Sequence, residues 1–497
     1  MTNRILLSAL LWAVAAIGLW AQPTTESLDA ACRQALAAFQ APGFSVGVIK
    51  DGKVVLAQGY GVRTAGKPEK VDANTLFAIA SNTKAFVSTA LAVLQTEGKL
   101  RLDDPVRRHL PYFALYDPYV SERATVRDLL CHRLGLGTFS GDVIWYKSRL
   151  TPEEVVRQAQ HLPAAYSFRA GYGYSNLMFI AAGEVIRAAA GQPWDQWVSE
   201  RFFRPLGMTR TCTSVSQLGK MDNVATPHIT RTGNAPIPYA NWDNMGAAGG
   251  VISSANDMLR WIELQLGKGE FRGQRLFEAG VVQETWRPHN AFRRFSAYGL
   301  GWSLGEKAGM PVVSHGGGYD GMYSRVVMVP ESNLGIVILT NSMTGLSGAL
   351  SNYILDAYLA TPDAQWLDKA LTRERNGEKE WNDRRQQRLD ARVLNTRPSL
   401  APNDMVGVYH DPLYGNINIE QSAGGSFLLR FEVAPQLDAR LSHWHYDTWK
   451  LEWEQTHAWF DFGTVQFVVD NNGKVLELRF DVPNDDIFFD EIHAKRQ

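Results

Sequence analysis

Strand patterning occurs early in the chain and again much later, with a long stretch of different periodicity between, and this separation most constrains the fold. Gly43 to Lys50 and Lys53 to Tyr60 read as two strands around Asp51-Gly52, a residue pair favoured in two-residue hairpin turns. From Phe77 the apolar spacing turns helical, with Phe86, Ala90, Leu91 and Leu94 three and four residues apart. A largely helical, loop-rich region is expected to about residue 290. Strand patterns return at approximately Gly299 to Leu304, Pro311 to His315, Tyr323 to Val329 and Gly335 to Thr340, before a helical segment near Ser347 to Leu359. One antiparallel sheet, completed by both ends of the domain and flanked by helices, satisfies this order, with the helical part inserted beside it. The predicted class is α/β (α+β).

Beyond residue 360 the character changes twice. Thr361 to about Asn403 is charged, and "TRERNGEKEWNDRRQQRLDAR" has no wide apolar face, which predicts an exposed helix and linker. The tail is aromatic and strand-rich at Asn416 to Glu420, Ser426 to Glu432, Trp449 to Trp453 and the hairpin "FVVDNNGKVLELRF" around Asn472-Gly473. Such a pattern predicts a small all-β barrel or sandwich. The expected organisation is 1–21 secretory segment, 22–360 catalytic domain, 361–403 charged helical linker and 404–497 β-barrel domain.

The first segment is expected because "MTNR" precedes the apolar run "ILLSALLWAVAAIGLW", which stops at Ala21-Gln22-Pro23. The run is short for a spanning helix and lacks a basic flank, so export to the periplasm or medium, with no stable membrane span after cleavage, is the expectation. The formal net charge of -1 and the absence of basic runs interleaved with aromatics argue against a nucleic-acid surface. Small molecules or short peptides are the expected partners. Three widely spaced cysteines, Cys32, Cys131 and Cys212, imply neither a disulfide framework nor a cysteine metal site.

The local chemistry centres on "FAIASNTKAF", where Ser81 and Lys84 lie three apart at the opening of a helix. That spacing puts both side chains on one face, with the positive helix end beside the serine. A serine hydroxyl needs a base, and lysine serves once desolvation or neighbouring cations leave it neutral. Alone, Ser-x-x-Lys is weak: it is expected on the order of once or twice by chance in a chain of this length, and a capping serine with a solvated lysine has the same spacing. A second candidate is "AGYGYSNLMFIAAGEVI", which sets Tyr174 and Asn176 on a glycine-rich turn entering an apolar helix. A phenol near a lysine can pass a proton to a leaving group, and an amide can orient an acyl substrate.

The third is "SHGGGYDG", Ser314 to Gly321. In lipase-like α/β hydrolases an HGGG loop precedes a G-x-S-x-G nucleophile elbow. Here the nearest match, Gly173-Tyr174-Ser175-Asn176-Leu177, ends in leucine and precedes the glycines, so that assignment is disfavoured.

Taken in order, Ser81-x-x-Lys84, Tyr174-x-Asn176 and His315-Gly316-Gly317 resemble the three motifs of the serine β-lactamase and penicillin-binding-protein superfamily, nearest its class C and CubicO-type (peptidase S12-like) esterase and peptidase branch. "LLCHRLGLG", "PLGM", "GGVISSANDMLRW" and "VPESNLGIVILTN" extend the likeness from about residue 25 to 360, and "LSHWHYDTWKLEW" is similar to the lipocalin-like β domain often appended to these hydrolases. The resemblance implies a serine hydrolase without metal or organic cofactor. Ser81 would attack an acyl carbonyl, Lys84 and Tyr174 would manage its proton, and water would release the acyl-enzyme. The N–H groups of Ser81 and Gly318 would form the oxyanion hole, with Gly316 and Gly317 in an edge strand letting backbone approach the substrate.

One departure from the family pattern concerns substrate. His315-Gly316-Gly317 stands where β-lactamases of the superfamily carry Lys-Thr-Gly or Lys-Ser-Gly, and a largely neutral histidine suits a substrate carboxylate less well. His315 is expected to hydrogen-bond Tyr174 and tune it. Small peptides or acyl compounds are the expected substrates of a peptidase or esterase. A β-lactamase or D-alanyl-D-alanine carboxypeptidase is the alternative, and a receptor-like protein that is acylated without turnover is an alternative of another class. His443, His445 and His457 lack supporting ligand spacing for a metal, and Trp444, Trp449, Trp453 and Trp459 read as barrel core. The β domain could cover the active-site cleft, drive homo-oligomerisation or bind cell-wall material.

Overall fold

The computed structural model describes residues 22–359, 363–422 and 424–497, so the expected secretory segment lies outside it. Helix α1 (Thr25–Ala38) precedes β1 (Gly43–Lys50) and β2 (Lys53–Gly61), which are joined through Asp51-Gly52 with both residues at positive φ. Helices α2 (Thr83–Thr96), α3 (Asn176–Ala190) and α4 (Ala255–Leu266) belong to the long intervening region. Six strands follow: β3 (Asn290–Arg293), β4 (Ser296–Tyr298), β5 (Ser303–Lys307), β6 (Met310–Tyr319), β7 (Met322–Val329) and β8 (Leu334–Thr340). They join the early hairpin in one antiparallel sheet of order β2-β1-β8-β7-β6-β5-β4-β3.

The β1–β8 pairing unites the two ends of the domain, with Val46 opposite Ile338. Both faces of this central pair are covered. Leu334, Ile336 and Ile338 pack toward α1 and α5 (Leu346–Leu359), whereas Val337 and Leu339 face the layer holding α2 and α4. Burial on both sides explains why β8 reads as a continuous apolar run without polar alternation. Helix α2 is itself enclosed from Thr83 to Leu94, with Phe86 stacked on Trp261 at 4.0 Å.

The charged segment forms helix α6 (Trp366–Asp390), with Ala370 its buried residue. After it, eight strands close into a barrel: β9 (Gly407–Asp411), β10 (Gly415–Gln421), β11 (Phe427–Phe431), β12 (Ala439–His445), β13 (Thr448–Trp453), β14 (Thr464–Val469), β15 (Val475–Asp481) and β16 (His493–Arg496). No described helix is long and apolar enough to cross a membrane.

Two expectations require correction. Of the strand expected over Gly299 to Leu304 only Ser303 and Leu304 are strand, in β5; the residues before them form the turn from β4, in which Gly299 N–H donates to the Trp302 carbonyl and Gly301 has φ 73°. The strand expected to end at His315 continues through all three glycines to Tyr319. Glycine has little strand propensity, so the extension comes from pairing with β7, where Gly317 lies opposite Ser324.

Candidate active site

Ser81 lies in a short 3-10 turn, Ala80–Asn82, that leads directly into α2. Its predecessor, Ala80, is buried with φ 47°, a conformation costly for a residue with a Cβ. Tertiary contacts hold the turn. Asn82 Nδ2 donates to Ser324 Oγ at 2.8 Å, and Ser324 Oγ donates to the Ile79 carbonyl at 2.7 Å. Gly317 lies over the same place. A Cβ there would sit 2.3 Å from the Ile79 carbonyl and 2.4 Å from Ser324 Oγ, so this glycine lets β6 approach the nucleophile turn rather than a substrate.

Lys84 follows one helical turn later and is fully buried. Its Nζ is 3.0 Å from Ser81 Oγ, 2.7 Å from Asn176 Oδ1 and 2.8 Å from the Ala248 carbonyl. Burial depresses the amine to about 7, with the Asp142 charge opposing the shift. Desolvation wins because the surrounding α2, α3 and sheet layers exclude water from the charged form.

Asn176 opens α3, and its amide orientation is fixed at both ends. Nδ2 donates to Asp142 Oδ2 at 2.6 Å, which turns Oδ1 toward Lys84. Tyr174 arrives from the preceding turn, where Gly173 is forced: a Cβ would stand 1.8 Å from the Leu136 carbonyl. The Tyr174 ring centre is 4.7 Å from Lys84 Nζ. Burial pushes its phenol well above the ordinary tyrosine value, and the Ser81 hydroxyl pulls it back only in part.

His315 does not hydrogen-bond Tyr174. Its Nδ1 is 2.6 Å from the Gly316 carbonyl and its Nε2 is 2.7 Å from the Tyr298 hydroxyl, while the Tyr174 ring centre is 6.1 Å away. A carbonyl opposite Nδ1 requires the proton there, so Nε2 accepts from Tyr298. Strand register produces the pairing: Tyr298 lies opposite Ser303, and Ser303 opposite Ser314. Burial and the Lys84 charge depress His315 to about 3, which keeps it neutral. His132 fills the gap between the tyrosines, 4.3 Å from Tyr174 and 4.7 Å from Tyr298 between ring centres, with Nδ1 accepting the Ser175 N–H.

The expected edge strand is interior in the sheet, because β6 lies between β5 and β7. Pairing with β5 nevertheless ends at Ser314, so His315 to Tyr319 pair with β7 alone. That local edge faces a cavity of about 300 Å³ whose lining includes Ser81, Tyr174, Asn176, His315, Gly316 and Gly318. The predicted residues from three separate stretches thus meet at one cavity. Lys84 lies just behind it and Gly317 against the Ser81 turn.

The barrel supplies part of the wall. Trp459, Asp486 and Ile487 line the cavity, and the Trp459 Nε1–H donates to the buried Asp320 Oδ1 at 2.7 Å. Trp459 is therefore a contact across the domains rather than barrel core. Nearby, Glu491 accepts from Ser140 Oγ at 2.6 Å and from the Gly141 N–H at 2.7 Å, and Lys147 Nζ meets His457 Nδ1 at 2.8 Å. His443 instead bonds the Tyr446 carbonyl, and among the described residues no cluster of three metal-ligating side chains occurs. Asp142, Tyr298 and Asp486 carry no sequence signal linking them to Ser81. His132 lies within the family-like stretch "LLCHRLGLG", which assigned it no role.

The Beta-lactamase family matches residues 28–361, and the Domain of unknown function (DUF3471) matches residues 391–496. Unguisins hydrolase ungD' from Aspergillus campestris is 28% identical over 430 residues, covering 80% of this chain and 78% of that protein. Protein flp from Staphylococcus aureus is 29% identical over 311 residues, covering 60% of this chain and 59% of its own. Among solved structures, the octameric penicillin-binding protein homologue from Pyrococcus abyssi has a TM-score of 0.62 at 20% identity, covering 92% of this chain and 98% of that one. A class C beta lactamase from Rhodobacter sphaeroides has a TM-score of 0.57 at 21% identity, covering 66% of this chain and 97% of that one. These two likenesses concern the fold; with a family match spanning most of the sequence, the chain belongs to the beta-lactamase family.

Proposed function

We propose that the chain is a serine hydrolase in which Ser81 forms an acyl-enzyme with small ester or amide substrates, as a peptidase or esterase. The observation that carries this reading is the setting of Lys84. A neutral amine has two N–H groups and one lone pair. The Asn176 and Ala248 carbonyl oxygens take the two N–H groups, which leaves the lone pair for the Ser81 hydroxyl at 3.0 Å. With an amine depressed to about 7, a useful fraction is neutral at physiological pH.

In this mechanism the Ser81 proton passes to Lys84 as Oγ attacks the acyl carbonyl. The oxyanion is received by the backbone N–H groups of Ser81 and Gly318, and the local free edge of β6 supports that assignment. Tyr174 retains its proton at neutral pH, which suits it to protonating the leaving group rather than to serving as the resting base. Neutral His315 holds Tyr298 and brings no charge to a substrate carboxylate, which favours esters and peptides over β-lactams. The hydrolase name of the Aspergillus relative is consistent with turnover rather than permanent acylation.

Intact-mass measurement after fluorophosphonate treatment, beside Ser81→Ala, tests the assignment. A single adduct on the natural chain and none on the variant is expected. Labelling of neither, or of both equally, would remove Ser81 as the nucleophile.

A further inference from the structure

Two carboxyl groups in the cavity do not themselves touch Ser81 or Lys84. Asp142 is 1% exposed and spends Oδ2 on Asn176, with the Trp145 indole N–H beside its carboxyl. Asp486 reaches the same cavity from the barrel and makes no side-chain hydrogen bond or ion pair among the described residues. Its neighbour Asp485 behaves differently, meeting Arg384 of α6 at 3.0 Å.

Asn484 sets this division. Its Oδ1 accepts the N–H of Asp486 at 3.0 Å and of Ile487 at 2.5 Å, and its Nδ2 donates to the carbonyls of Val482 and Ile487 at 2.9 and 2.7 Å. The loop therefore directs one acid to α6 and the next into the cavity.

Among the described residues neither cavity acid forms an ion pair. Asn176 stands between Asp142 and Lys84, and Arg231, the cation acting on Asp486, lies 4.4 Å over the Trp381 ring without forming an ion pair with it. Burial disfavours charge on both carboxyls, with Asp485 adding repulsion at Asp486 and Asp486 a smaller one at Asp142. Aromatic side chains occupy much of the remaining wall, including Phe139, Trp145, Trp242 and Tyr323, and ring faces attract cations.

We propose that the cavity selects acyl substrates bearing a protonated amine, received by Asp486 of the barrel domain. This rests on Ser81 being the nucleophile. It also gives the barrel a role in substrate choice, because a catalytic domain alone would lack Asp486.

The test uses the full chain and two fluorophosphonates identical except that one ends in a primary amine and the other in its acetamide. Second-order labelling rates are measured at pH 7 for the natural chain, Asp486→Asn and Asp485→Asn. The amine probe is expected to label the natural chain about tenfold faster or more, the value of one charge-assisted contact. Asp486→Asn should bring the ratio of the two rates close to one, and Asp485→Asn, outside the cavity, should keep the preference. Equal rates with the two probes, or an unchanged ratio in Asp486→Asn, would overturn the selectivity while Ser81 labelling still stood. No labelling with either probe would overturn the hydrolase assignment and this proposal together.

Discussion

Raising the pH from 5 to 9 should switch the nucleophile on through Lys84. A shift from the ordinary lysine value of 10.5 to about 7 means that charging the buried amine costs about 5 kcal/mol more than in water. The neutral fraction is then about 1% at pH 5, about 10% at pH 6, about half at pH 7 and about 90% at pH 8. The second-order rate of fluorophosphonate labelling should follow that curve. Neutral His315 and protonated Tyr174 contribute no limb in this range. Asp142, pushed up to about 8, titrates above the first limb, and Asp142→Asn separates the two.

The same shift governs stability. Above pH 7 folded Lys84 is neutral while the unfolded chain still binds the proton, so stability rises with pH up to about 10.5. Between pH 7 and pH 9 the natural chain should gain about 2 kcal/mol relative to Lys84→Met, measured by denaturant unfolding at each pH. A labelling rate that is flat from pH 5 to 8, or still climbing tenfold per unit beyond pH 9, would refute Lys84 as the base.

Tyr174→Phe should keep fluorophosphonate labelling within about tenfold but lower turnover of a small ester by roughly 10² to 10⁴, because fluoride leaves without the acid and an alkoxide does not; equal losses in both assays would show that the phenol is not the acid. Gly317→Ala should cost about 1–3 kcal/mol in denaturant unfolding, since its Cβ would meet the Ile79 carbonyl at 2.3 Å, whereas Gly316→Ala, whose nearest neighbour would be 3.6 Å away, should be almost neutral. If the two glycines respond alike, the close approach of β6 to the Ser81 turn is wrong. Trp459→Phe should destabilise by about 1–3 kcal/mol by removing a donor from buried Asp320, and unchanged unfolding would show that the interdomain bond contributes nothing.

The sequence by itself determined the elements whose contacts are local. Ser81 and Lys84 share a face because a three-residue separation is nearly one helical turn, and Tyr174 reaches the mouth of α3 because glycines permit the turn before it. The hairpin and β8 were legible from apolar runs and turn residues, and the barrel from its short aromatic strands. Their closure into one sheet and one barrel followed from the need to cover each apolar face.

Tertiary structure alone decided the chemistry of those residues. Whether Lys84 is a solvated cation or a base depends on layers contributed by residues far away in sequence, as its contact with Ala248 shows. His315 turned to Tyr298 because strand register places β4 within reach, and register between distant strands is not encoded in either strand's own periodicity. Asp142 and Asp486 enter from an insertion and from the barrel, and the pattern around neither residue identifies the cavity it faces. Helical spacing fixes neighbours within a turn, whereas desolvation and charge are set by everything that packs around them.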